Sequence, residues 1–347
     1  MENINIELFF ELSKTLTTID VRSESEYKRG HLPHAINIPL FNDDEHREIG
    51  TIYKKIGKDQ AMMKGLEIVG PKLKFFVKET QKISPDKNIL VNCWRGGMRS
   101  NSFSMLLKFC GFNVKVLQGG YKAYRKFVLD EFSKEREIII LGGKTGSGKT
   151  DILNKIKETE QFIDLEKLAF HKGSAFGGYD TPEDLTVEHF ENMLHYELLK
   201  TEKNKPLWLE DESRTIGKIP LPNSFWEKMR NSTVIFIEIP KNIRIKNIIK
   251  DYSNYPKEKL IESIKKIERK LGGFDTKNAI DALIENNYEK TIDILLFYYD
   301  KTYLNSLSKR DPSKILKLYI DENNYEKIEK ILIEFKNKNI IQLLNHN

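Results

Sequence analysis

The first third of the chain carries short apolar runs bounded by polar or glycine-rich turns, each suited in length to a strand and too short for a helix. Thr17-Thr18-Ile19-Asp20-Val21 predicts a short buried strand; the turn-forming Gly30-His31-Leu32-Pro33 follows, and Ile36 to Leu40 predicts a second strand. Ile89 to Asn92 reads as a strand that delivers Cys93, Ser100 to Phe109 as a helix, and Val114 to Leu117 as a strand ending at Gly119-Gly120. A helical run from Tyr121 to about Arg136 bridges to a new apolar strand, Ile138 to Leu141, which marks a domain boundary. The alternation resumes through Phe162-Ile163-Asp164, Leu207 to Asp211 and Val234 to Ile239. After Pro240 the pattern is that of long amphipathic helices, including Pro256 to Leu271, ended by Gly272-Gly273, and Asn287 to about Leu304; Ile315 to Ile320 predicts a strand returning to the sheet. Strands alternating with helices predict α/β domains on parallel sheets, with ligands at the carboxyl ends of the strands. The expected layout is a first domain over 1–130, a linker at the end of the bridging helix over 131–136, and a second domain over 137–347 that turns helical from about 241.

Composition changes this picture little. The 347 residues are 39% hydrophobic, with 19 Phe and 14 Tyr, enough for a core in each of two domains. No stretch approaches the roughly 20 apolar residues of a membrane span. The acidic start Met1-Glu2-Asn3 lacks a basic leader, so a cytoplasmic location without membrane attachment is expected. Two cysteines, Cys93 and Cys110, exclude a disulfide framework and a Cys-rich metal site. Cys110, in Phe109-Cys110-Gly111-Phe112, reads as a small buried hydrophobe. The formal charge of +6 gathers mostly after residue 240, in runs such as Lys265-Lys266 and Arg269-Lys270, and permits a nucleic-acid partner.

Candidate chemistry starts at Cys93-Trp94-Arg95-Gly96-Gly97-Met98-Arg99-Ser100, a loop between a strand and a helix. Backbone N–H groups, a helix N-terminus and nearby arginines all stabilise a thiolate, and this loop supplies all three. Gly96-Gly97 lets the backbone curl around the sulfur, Ser100 is expected to cap the following helix, and Arg95 or Arg99 to pair with an oxyanion. The loop resembles that of the rhodanese family of sulfurtransferases, in which such a cysteine carries a persulfide. Upstream, Asp20-Val21-Arg22, Glu26-Tyr27, Gly30-His31-Leu32 and Ala35-Ile36-Asn37-Ile38-Pro39 match the same family's other signature. The resemblance implies a rhodanese-like fold over most of residues 10 to 130, with Cys93, Arg95 and Arg99 as its catalytic group. Simple rhodaneses commonly have four residues between cysteine and arginine; Cys93 and Arg99 enclose five, the spacing of phosphatase loops. That predicts a loop roomy enough for a phosphate-bearing chalcogen donor.

Gly143-Lys144-Thr145-Gly146-Ser147-Gly148-Lys149-Thr150 fits the P-loop pattern, with a strand before and a helix after. Gly143, Gly146 and Gly148 let N–H groups converge on phosphate oxygens, Lys149 offers a point charge, and Thr150 is a candidate magnesium ligand. Glu210 or Asp211, after an apolar run, is the candidate acid for that magnesium, Asp211 being the metal candidate beside Thr150. Asp164, His171, Lys172, Ser174 and Arg214 stand at predicted strand ends and glycine loops as candidate substrate contacts. A P-loop recognises phosphates, and the group attached to them is read elsewhere.

Taken together, the two loops resemble the tRNA 2-selenouridine synthase family, in which a rhodanese-like domain is fused to a P-loop domain. The matching segments are Cys-Trp-Arg-Gly-Gly-Met-Arg-Ser at 93, Gly-Gly-Lys-Thr-Gly-Ser-Gly-Lys-Thr at 142, Asp-Leu-Glu at 164, His-Lys-Gly-Ser-Ala-Phe-Gly at 171, Glu-Asp-Glu-Ser-Arg at 210 and Tyr-Tyr-Asp-Lys at 298. Family members more often carry Gly at Lys167 and Arg at Lys172. The resemblance implies a transferase that replaces sulfur by selenium in the wobble 2-thiouridine of tRNA, by geranylation with geranyl diphosphate and then selenation with selenophosphate. It implies tRNA and a selenophosphate-producing enzyme as partners, and magnesium at the P-loop. Cys93 is then either a selenium carrier or a thiol that aids departure of geranylthiol, and basic residues of the C-terminal helices are candidate tRNA contacts. The rival reading is an ATP-dependent kinase fused to a phosphatase or sulfurtransferase domain, which needs no tRNA.

Overall fold

The computed structural model describes residues 2–171, 185–252, 255–322 and 324–344. Two compact units divide the chain: residues 1–133 with 184–196, and residues 134–183 with 197–347.

The first unit is a five-stranded parallel sheet of β1 (Glu2–Ile4), β2 (Thr17–Asp20), β3 (Ile36–Asn37), β4 (Asn88–Asn92) and β5 (Asn113–Leu117), in the order β1-β5-β4-β2-β3. Ile89, Val91, Val114 and Val116 pack against Phe103 and Leu107 of the helix Met98–Phe109 and against Phe76. Burying side chains of this size contributes roughly 1.5–3 kcal/mol each. The strand expected over Ile36 to Leu40 pairs only at Ile36–Asn37; Pro39 has no N–H to give a ladder, although the Ile38 and Leu40 amides still reach Asp20 O and Val21 O (3.0 and 3.2 Å). The bridging helix is shorter than expected, Gly120–Glu131. Three helices, Asp43–Lys55, Lys58–Val69 and Leu73–Ile83, fill a region the sequence pattern left unassigned.

The first unit also takes residues 184–196, most of the helix Val187–Leu199, from far along the chain. Tyr121 Oη donates to Glu188 (2.8 Å), and the Asn192 amide donates to Tyr121 Oη (2.8 Å) and His31 O (2.9 Å). Arg125 reaches Asn192 (2.5 Å) and pairs with Glu191. The single cut near residue 130 drawn from the sequence leaves this helix out, because its attachment is made of long-range contacts with no local signature, the polar ones above and the His195 ring against Phe10, Tyr124 and Phe127.

The second unit has its own parallel sheet: β6 (Ile138–Gly143), β7 (Gln161–Phe162), β8 (Leu207–Glu210), β11 (Thr233–Glu238) and β12 (Ile315–Tyr319), ordered β12-β11-β6-β8-β7. A small antiparallel pair, β9 (Thr215–Ile216) and β10 (Ile219–Pro220), stands between β8 and β11 in the chain. The returning strand expected after residue 314 is β12, parallel to β11. Ile139, Leu141, Trp208, Ile235 and Ile237 form the sheet's share of the core, met by Ile152, Leu153 and Ile156 of the helix Lys149–Ile156. The helical part expected after Pro240 is present, with Pro256 to Leu271 divided into Lys257–Lys266 and Glu268–Leu271. A further helix, Tyr325–Leu344, packs Ile328 and Leu332 into the sheet core. Among the described residues no helix is long and apolar enough to cross a membrane.

Candidate functional site

In the first unit, β4 ends at Asn92 and places Cys93, 3% exposed, at the start of the loop. Cys93 Sγ donates to Ser100 Oγ (3.2 Å), which donates to Gly97 O (3.1 Å). Ser100 therefore does not cap the helix as expected. Gly97 is the N-cap residue, with no side-chain cap, and Ser100 is turned to the sulfur from the first helical turn. The loop is clamped from behind by the next turn: the Tyr121 and Lys122 amides donate to Cys93 O (2.8 Å) and Trp94 O (3.0 Å). Gly120 permits this approach, since a Cβ there would lie 2.3 Å from Cys93 O and its φ is +58°.

Arg99 and Arg95 part company. Arg99 donates to both carboxylate oxygens of Glu26 (2.5 and 3.1 Å), and with Arg22, Glu26, Arg29, His46 and Trp94 it lines a pocket of about 340 Å³. Arg95 is exposed and is not part of that lining. Arg22 is fully engaged, its guanidinium on Asp20 (2.7 Å) and Gly30 O (2.7 Å) and stacked 3.7 Å over the Tyr121 ring. Burial pushes the Glu26 carboxyl up, but the hydrogen bond and charge of Arg99, with His46 at 3.8 Å, hold it below the usual carboxylate range. The pocket is lined by three guanidinium groups, of which Arg22 is matched by Asp20 and Arg99 by Glu26, leaving Arg29 as the surplus cation for a small oxyanion. Cys110 is half-buried against the same core as Cys93 and serves as packing.

In the second unit, β6 leads into the P-loop and the helix Lys149–Ile156 opens at its end. Lys149 Nζ donates to Gly143 O (3.0 Å) and stands 3.3 Å from Glu210 Oε1, while Thr150 Oγ1 donates to Glu210 Oε2 (2.8 Å). Carboxylate oxygens of Glu166, Glu210 and Glu212 lie within 4.8 Å of one another. Burial and the charges of Glu210 and Glu166 push the Glu212 carboxyl well above its usual range, against the pull of Lys149. Burial works against the Lys149 charge, but the three carboxylates outweigh it and its pKa rises. Hard oxygen donors beside a P-loop threonine fit magnesium.

Of the two candidate acids, the structure brings Glu210 to Thr150 and not Asp211. Successive strand residues point to opposite faces, and Asp211 is spent on Arg310 (2.5 Å) and Tyr303 Oη (2.9 Å). Tyr303 Oη in turn accepts the Gly143 amide (3.0 Å), so Asp211 props the entrance of the P-loop from behind. Other groups hold the loop too: Arg244 donates to Thr145 O (3.0 Å) while paired at 2.8 Å with Asp300, and Asn247 donates to Gly146 O (2.9 Å). Asp300 belongs to the Tyr-Tyr-Asp-Lys segment singled out in the sequence, whose role is now visible as positioning Arg244.

The remaining candidates fare differently. Asp164 caps the helix Leu165–Leu168 through the Lys167 amide (2.8 Å) and so delivers Glu166 to the acid cluster. His171 lies at the end of this segment, its amide on Glu166 O (3.0 Å) and its ring against Gly217. Arg214 is exposed and donates to Asn223 (2.7 Å). Lys172 and Ser174 lie outside the described residues. Sequence reasoning passed over Glu166, Glu212, Tyr303 and Arg244; the two glutamates stood inside quoted motifs, beside the residues chosen.

Fold and site together define a protein that carries a rhodanese-type thiol loop and a P-loop on two α/β units of one chain. Residues 10–127 match the rhodanese-like domain model, and residues 136–338 match the model of the tRNA 2-selenouridine synthase AAA domain. The chain is 32% identical over 348 residues to the tRNA 2-selenouridine synthase of Nitrosomonas europaea, covering 84% of this chain and 89% of that one. It is 33% identical over 372 residues to that of Nitrosomonas eutropha (91% and 96% covered) and 34% over 357 residues to that of Bdellovibrio bacteriovorus (88% and 92% covered). The chain belongs to the tRNA 2-selenouridine synthase family.

Proposed function

We propose that the protein replaces the sulfur of a wobble 2-thiouridine in tRNA by selenium, in two steps. In the first, the P-loop holds the diphosphate of geranyl diphosphate, with Lys149 and the loop N–H groups on its oxygens. The uridine sulfur attacks the geranyl carbon, a C–S bond forms, and the C–O bond breaks with its electron pair leaving on diphosphate. Magnesium, held by Thr150 and Glu210, would supply further neutralisation of that leaving group.

The second step belongs to the Cys93 loop, whose arginine-lined pocket binds selenophosphate. The selenium adds to C2 of the uridine, geranylthiolate departs and takes up a proton, and water cleaves the P–Se bond to release phosphate. A perselenide on Cys93 would need oxidised selenium, which selenophosphate provides only by leaving its phosphorus reduced. That balance favours Cys93 as the thiol that aids departure of geranylthiol over a selenium carrier.

The observation that carries the proposal is the pairing, in a chain of this family, of a buried thiol beside a pocket rich in arginine with a P-loop ringed by acids. Mass analysis of wobble nucleosides tests it, with thiolated tRNA, geranyl diphosphate and selenophosphate incubated with the protein. Selenated uridine is expected from the native chain, geranylated uridine accumulating with Cys93→Ala, and neither product with Lys149→Ala. ATP hydrolysis with unchanged tRNA would instead support the kinase reading.

A further inference from the structure

A second cavity lies in the helical part of the P-loop unit. It begins at Thr145 of the loop and runs between the helices Lys241–Tyr252, Lys257–Lys266, Gly273–Ile284 and Tyr288–Leu307, walled by side chains such as Ile248, Leu260, Leu283, Leu295 and Leu296. Its surface is hydrocarbon throughout. The hydroxyl of Thr291, one of its few polar neighbours, is already donated to the backbone at Ala279 O (3.2 Å) and Asn287 O (3.0 Å). The cavity and the phosphate cradle share a wall: a Cβ on Gly146 would lie 2.7 Å from Ile248, and Asn247, the preceding residue, donates to Gly146 O.

We infer that this cavity receives the hydrocarbon tail of a prenyl diphosphate whose phosphates lie in the P-loop. The inference rests on the reading of the P-loop as a diphosphate site. A nucleoside fits the cavity badly, because an adenine and a ribose bring several hydrogen-bonding groups that this wall leaves unpaired. A prenyl chain brings none. At about 50 Å³ the cavity is smaller than a ten-carbon chain, so a tail site there requires the helices Lys257–Lys266 and Gly273–Ile284 to part as the tail enters. Tail length is thereby read by the helical part and phosphate by the loop.

Isothermal titration of the full chain with magnesium and inorganic diphosphate, dimethylallyl diphosphate, geranyl diphosphate or ATP tests the inference. Each methylene buried tightens binding about four-fold. Geranyl diphosphate is therefore expected to bind at least about 100-fold more tightly than inorganic diphosphate, with the five-carbon compound between them. Ile249→Trp, at a half-buried position of the cavity wall, is expected to remove most of that preference and leave inorganic diphosphate affinity unchanged. Amide exchange should slow in residues 257–284 with geranyl diphosphate and not with inorganic diphosphate. Equal affinity for the tailed and tailless compounds would overturn the tail site while the diphosphate reading stands. Binding of ATP with none of the three diphosphates bound would overturn both.

Discussion

The thiol loop and the phosphate cradle are both strand, loop and helix, and in each the leading cation is held by a glutamate of its own unit. Arg99 rests on Glu26, and Lys149 rests on Glu210. They differ in what surrounds the pair. Around Arg99, whose charge is matched by Glu26 as that of Arg22 is matched by Asp20, Arg29 adds one further cation, so an arriving anion meets a small surplus of positive charge. Around Lys149 stand Glu166, Glu210 and Glu212; even leaving out Glu212, which its neighbours push toward the neutral form, two carboxylates outnumber the one ammonium, so an arriving diphosphate meets negative charge unless a cation comes with it. The charge balance therefore predicts that the thiol loop takes an anion unaided and that the P-loop takes its anion together with a metal ion.

Lys149→Ala should have the largest effect on this contrast, lowering geranyl transfer on the order of 10²–10³-fold in single-turnover assays while leaving Cys93 alkylation by iodoacetamide unchanged. Next, Arg244→Met leaves the mostly buried Asp300 without its guanidinium; a loss of about 3 kcal/mol in urea unfolding of the second unit is expected. Asp300→Asn added to it should recover part of that loss. Chelating magnesium should weaken geranyl diphosphate binding by roughly tenfold, read by titration. Phosphate binding at the arginine pocket should stay the same, and a matching loss there would end the distinction drawn between the loops.

The smallest effect concerns Glu26. Its carboxyl is depressed below its ordinary value of 4.5, so its ion pair stabilises the fold above that value and the contribution fades as pH falls through the depressed one. Glu26→Gln should cost about 1 kcal/mol at pH 7 and nothing once both forms are neutral in acid, measured by urea unfolding across that range. The same variant frees Arg99 and should tighten phosphate binding several-fold. Unchanged phosphate affinity would show that Glu26 does not compete with the ligand.

What the sequence revealed of these sites follows from how local they are. Cys93 to Ser100 and Gly143 to Thr150 are contiguous, and their strand and helix flanks have a clear apolar period, so both loops and the parallel sheets were legible. The groups that tune them come from afar: Glu26 meets Arg99 across 73 positions and Tyr303 meets Asp211 across 92. Nothing in local spacing announces such pairs. Tyr303 stands in a helical run with no local sign of a role, and only its hydroxyl contacts reveal a prop for the loop. The choice between Glu210 and Asp211 was likewise a matter of which face each takes at the end of β8.

The helix Val187–Leu199 carries a consequence for how the protein is made. The first unit's five strands leave the ribosome within the first 117 residues, and the sheet can assemble then. Tyr121, His31 and Arg125, however, await Glu188, Glu191 and Asn192, which emerge only after the P-loop has been synthesised. Synthesis therefore interleaves the two units: the thiol unit stays unfinished until part of its neighbour exists, and a stop codon placed at the apparent boundary releases a sheet still missing its last helix.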